Sequence, residues 1–141
     1  MAGLGGRVAE ALFCQDISTG ASQDIRHITQ VARDMVAKYG MSEKIGPIAY
    51  SSDEEVFIGR DYEKTKSYSE QVAGLLDGEV REIIDRAYRH CEKILQEDRE
   101  KLFQVVEFLL AHETMSGAQF KACMEGRDMD AAGPGSLFDP I

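Results

Sequence analysis

Between Val72 and Leu95 apolar residues return in alternating steps of three and four: Val72, Leu75, Leu76, Val80, Ile83, Ile84, Ala87, Tyr88, Cys91, Ile94 and Leu95. This period follows the 3.6 residues of a helical turn and predicts one helix of about 25–28 residues, opened by Ser69 as its N-cap. Gly74 and Gly78 interrupt the pattern, each at roughly 0.5–1 kcal/mol relative to alanine, which the apolar stripe outweighs. A charged run over Gln96 to Lys101 marks a turn. Leu102, Phe103, Val105, Val106, Leu109 and Leu110 then predict a second long helix antiparallel to the first.

Further helices are expected on both sides. Leu4, Val8, Ala11 and Leu12 predict a short one over Leu4 to Phe13. Ile25, Ile28, Ala32, Met35, Val36 and Tyr39 predict another from Thr19 or Gly20 to Tyr39, with Gly40 as a left-handed C-terminal cap. Thr114 or Ser116 caps a last short helix ending near Glu125. Two β-prone runs, Ile48 to Tyr50 and Val56 to Ile58, are bracketed by Pro47 and Gly59 and predict a small hairpin leaning on the helices. The expected class is therefore mainly α, a helical bundle with a long antiparallel helix pair and one small β-hairpin. Residues 1–127 form its single domain, and the Gly- and Pro-rich residues 128–141 a flexible tail.

With 141 residues the chain has one domain's worth of buried surface. Its 25 acidic against 16 basic side chains give a formal charge of -9, which repels nucleic-acid phosphates and anionic lipid. Cys14, Cys91 and Cys123 are odd in number and lack any CxxC pair, so neither a disulfide framework nor a cysteine zinc site is indicated. No apolar run reaches the ~20 residues that span a bilayer, so direct membrane insertion by this chain is not expected.

Asp24 is the one candidate site residue. At 100° per residue it shares a row with Ile28, Val31 and Met35, placing its carboxylate at the margin of an apolar stripe and leaning inward, or nearly so. A carboxylate in the first helical turn is favoured by the macrodipole alone, typically by ~0.3–1 kcal/mol. His27 stands three residues on, a separation that allows both to reach one metal, yet two donors do not make a site. His27, His90 and His112 are read as surface residues.

The segments LGGRVAE at 4–10, STGASQDI at 18–25, ARDMVAKYGMSEKIGP at 32–47, EVFIGR at 55–60 and HETMSGAQF at 112–120 together resemble the peptidase domain of the FtsH family. That family comprises membrane-anchored, ATP-dependent zinc metalloproteases. The resemblance implies that Asp24 is the third protein ligand of a catalytic zinc. In the family the other two ligands are histidines of an HExxH helix whose glutamate is the general base. This chain contains neither HExxH nor a GxxxxGK[ST] nucleotide loop.

The chain is accordingly expected to be the C-terminal part of a longer protein, a partial zinc-peptidase domain that is inactive alone. The implied whole protein takes zinc and ATP, the latter in an upstream ATPase module. It degrades unfolded and membrane polypeptides as a homo-hexamer at the cytoplasmic face of the bacterial inner membrane, with no nucleic-acid partner. The alternative is a degenerate, non-catalytic relative acting as an assembly or substrate-holding module. Arg7 and Glu10, three residues apart, are expected to pair with each other or to support the site.

Overall fold

A computed structural model describes residues 1–14, 18–50 and 69–132. Among the described residues every regular element is a helix, and the chain divides into two compact units, Met1–Glu92 and Lys93–Ile141. A 3-10 turn over Ala2–Leu4 runs directly into α1 (Gly5–Phe13), followed by α2 (Ser22–Ala37) and the 28-residue α3 (Glu70–Glu97), which continues into the second unit. That unit also holds α4 (Arg99–His112), α5 (Gly117–Met124) and a 3-10 turn over Asp130–Ala132.

In the first unit the core forms where the stripe of α2 meets that of α3. Ala32, Val36 and Ala37 pack with Leu76 and Val80, Ile45 closes the cluster, and Val72, Ile83, Ile84 and Tyr50 lie half-buried around it. The predicted α2 stripe is buried only at its centre: Ile25 is 40% and Tyr39 64% exposed. The helix stops two residues before Tyr39 because Gly40 turns left-handed, at φ 60°, which lets the Met41 N–H reach back to the Met35 carbonyl at 2.9 Å. The returning chain also lies against Gly40, where a β-carbon would sit 2.8 Å from Pro47 Cα.

The hairpin is corrected. Ile48–Tyr50 is not a strand: the Ile48 N–H donates to Gly46 at 2.9 Å and the Tyr50 N–H to the Ala37 carbonyl at 2.6 Å. Its backbone thus satisfies one of the carbonyls left over at the end of α2 instead of a β ladder. The second run, Val56 to Ile58, lies outside the described residues.

Ser69 caps α3 as expected, its hydroxyl accepting from the Val72 N–H at 3.3 Å. The predicted turn at Gln96 to Lys101 narrows to Asp98 alone, with helical hydrogen bonds on either side, from Asp98 N–H to Ile94 at 3.0 Å and from Leu102 N–H to Asp98 at 3.0 Å. An antiparallel helix pair is usually joined by a loop of about 2–5 residues.

Within the second unit α5 packs against α4. Ser116 opens α5 with a capping box: its hydroxyl accepts from the Gln119 N–H at 3.2 Å, and the Gln119 side chain accepts from the Ser116 N–H at 2.9 Å. The buried Cys123 thiol points to the Lys101 carbonyl at 3.8 Å and Gln104 Oε1 at 3.6 Å, and the His112 ring stacks on Phe108 with centroids 4.2 Å apart.

Candidate metal-ligand site at the start of α2

One carboxylate ties α1 to the segment just before α2. Glu10 accepts from the Ser18 hydroxyl at 2.6 Å and from the Ser18 N–H at 3.2 Å, and the Ser18 oxygen in turn accepts from the Gly20 N–H at 3.2 Å. These bonds, chiefly the hydroxyl, with the nearby Arg7 charge adding to them, hold the Glu10 carboxyl below its ordinary value. Beyond Gly20 the Ser22 N–H closes on the Thr19 carbonyl at 3.1 Å, and the buried Ala21 is the N-cap of α2, with no side-chain cap.

Asp24 follows in the first turn of α2 and is exposed. Its position at the positive end of the helix is as predicted, whereas the inward lean is corrected. In the row it shares, Val31 is also exposed, and only Ile28 and Met35 are half-buried. The row stays open because the core gathers around Ala32 and Val36, on an adjacent side of the helix. Ile28 in that row is covered by the N-terminal 3-10 turn, which packs on α2 so closely that a β-carbon on Gly3 would lie 2.7 Å from Ile28 Cγ2.

His27, His90 and His112 are all exposed, as expected. Among the described residues no group of three His, Cys, Asp or Glu side chains is placed to hold a metal ion. The donor set in hand therefore does not fit zinc by itself; Asp24 offers one open carboxylate where three protein ligands and a water are needed. Nor, among the described residues, is any helix long and apolar enough to cross a membrane.

Two side-chain networks escaped the sequence. Glu10 bonds Ser18 instead of Arg7, over a separation of eight residues that no helical rule anticipates. Ser42, buried, donates to Glu79 at 2.5 Å, while Lys44 bridges Glu79 at 3.1 Å and Glu82 at 3.2 Å. The only sequence signal for the second is a small polar residue and a lysine just past a helix end, which is common to many loops.

Residues 1–123 match the family model described as peptidase family M41. Among curated relatives, the ATP-dependent zinc metalloprotease FtsH 1 of a Thermoanaerobacter species is 46% identical over 128 residues, covering 90% of this chain and 21% of the relative. The ATP-dependent zinc metalloprotease FtsH of Caldicellulosiruptor bescii is 49% identical over 119 residues, 84% of this chain and 19% of the relative. That of Halothermothrix orenii is 48% identical over 109 residues, 76% and 17% respectively. The chain thus spans about a fifth of the length of the relatives it matches. A match over most of the chain, joined to identities near one half, establishes that it belongs to peptidase family M41.

Proposed function

We propose that this chain serves an ATP-dependent zinc metalloendopeptidase acting on polypeptides, to which it contributes Asp24 as one protein ligand of the zinc and α2 to α5 as scaffold. The observation that supports this most is the identity of 46–49% to relatives bearing that activity in their names. The structure adds an exposed carboxylate in the first turn of α2. When bound, zinc would supply Lewis-acid activation of a water and of the scissile carbonyl. Asp24 would hold it, and Glu10 through Ser18 would fix the segment leading to Asp24.

In this reading the remaining donors, the general base and the nucleotide site come from polypeptide outside residues 1–141, and the chain alone is inactive. ATP binds in that other part. Residues 1–127 are the peptidase-domain portion and the remainder a tail. The whole protein is a membrane-anchored homo-hexamer working at the cytoplasmic face on unfolded and membrane-derived polypeptides.

The test is zinc content and casein hydrolysis of the full-length natural protein beside its Asp24→Asn variant. Loss of about one zinc per subunit together with activity is expected. Retention of both removes Asp24 from the metal. A wild-type protein with neither zinc nor hydrolysis, yet still assembled, would mark the chain as part of a non-catalytic assembly module.

A further inference from the structure

Helix α4 is apolar on two sides. On one it buries Phe108, and the Cys123 thiol of α5 lies against Lys101 and Gln104. At 100° per residue Val106 stands about 160° from both Gln104 and Phe108. On that far side Phe103, Val106 and Leu110 follow in steps of three and four, 44%, 42% and 81% exposed, and Leu110 is the most open large apolar side chain among the described residues. The spacing makes a continuous seam of the kind that packs on another helix.

The seam runs on in the same steps to Arg99 at the start of α4 and Glu113 at its end, both exposed. Arg99 lies over the Phe103 ring at 5.5 Å, which keeps its charge beside the seam. Each charge is at the unfavourable end of its own helix, the cation where the macrodipole is positive and the anion where it is negative. A second copy running antiparallel answers both features. Arg99 and Glu113 stand seven residues before and after Val106, and Phe103 and Leu110 three before and four after. A two-fold axis at Val106 therefore sets Phe103 beside the partner's Leu110 and Arg99 beside the partner's Glu113, at both ends at once. A parallel pair would set Arg99 on Arg99 and Glu113 on Glu113.

We propose that this face of α4 is an isologous, antiparallel contact between two copies of the chain. It is a two-fold contact, unlike the head-to-tail contacts that close a ring, and it does not rest on Asp24 or on the protease reading. With one helix face from each copy, it belongs among the small interfaces whose occupancy follows concentration.

The test is sedimentation equilibrium of the 141-residue chain at physiological salt, where a monomer–dimer equilibrium is expected. Leu110→Asp should weaken the dimer by at least about tenfold, since it buries a carboxylate against the partner's Phe103. Arg99→Glu and Glu113→Arg should each weaken it by roughly tenfold, because each sets like charges together at both ends. The double variant Arg99→Glu with Glu113→Arg should return to within about threefold of the wild type, which a merely structural effect of either change would not produce. A chain that stays monomeric up to about 1 mM overturns the proposal. So does an assembly of any size that Leu110→Asp leaves unchanged, or a double variant no better than the single ones. If Leu110→Asp loses the helical circular dichroism of the wild type, the charge-reversal set, at exposed positions, decides alone.

Discussion

The Ser42 hydroxyl lies 2.5 Å from a Glu79 carboxylate oxygen, binding the segment just after α2 to the middle of α3 across thirty-seven residues. This bond is the largest reason the Glu79 carboxyl is held below its ordinary value, with the Lys44 ammonium the next; Lys44 is raised in turn, first by Glu79 and then by Glu82. A depressed carboxyl stabilises the fold above its unfolded pKa and loses that contribution as pH falls through the folded one. A raised ammonium contributes below its unfolded pKa and loses it as pH rises through the folded one. The clamp is thus fully made between about pH 5 and pH 10. Ser42→Ala and Glu79→Gln should each lower the urea midpoint at pH 7, and the deficit of Glu79→Gln should shrink at pH 3.5. An equal deficit at both values would show that the carboxylate charge contributes nothing.

Gly40 meets two demands at once. Its φ of 60° costs an L-residue about 1–2 kcal/mol, and the contact with Pro47 Cα adds overpacking of roughly 1–3 kcal/mol. Gly46, at φ 80°, has open space around it and meets only the first. Gly40→Ala should therefore destabilise more than Gly46→Ala in chemical denaturation. Equal losses would mean that the Gly40–Pro47 approach is not fixed.

Glu113 ends α4 in the left-handed region at φ 63°, its N–H bonded to the Leu109 carbonyl at 2.8 Å. Because only glycine takes that conformation freely, Glu113→Gly should stabilise the second unit by about 0.5–1 kcal/mol after the extra unfolded-state entropy is counted. A lower midpoint in urea would mean that the Glu113 side chain makes a compensating contact.

The three thiols differ in access. Cys14 is exposed, while Cys91 and Cys123 are buried. An aromatic disulfide reagent should titrate one thiol quickly in the native protein and the other two only in denaturant, with Cys14→Ser abolishing the fast phase. Two fast thiols would mean that α3 or α5 opens readily.

What lay within reach of the sequence was local. The spacing from Val72 to Leu95 sufficed for α3 and Gly40 for the end of α2, because each depends on neighbours within a turn or two, while the start of α5 was narrowed to Thr114 or Ser116 and the capping box with Gln119 settled it on Ser116. The motif segments sufficed for the family. Asp24 could be placed in a first helical turn, but its exposure depends on where the α2 core centres, and that is set by α3 more than forty residues away. The fate of Ile48–Tyr50 was decided in the same way, by an unpaired carbonyl at Ala37 that captured the Tyr50 N–H. Glu10 chose Ser18 over Arg7, and Ser42 chose Glu79, since a side chain bonds whatever the folded backbone brings within 3 Å, and periodicity carries no record of that.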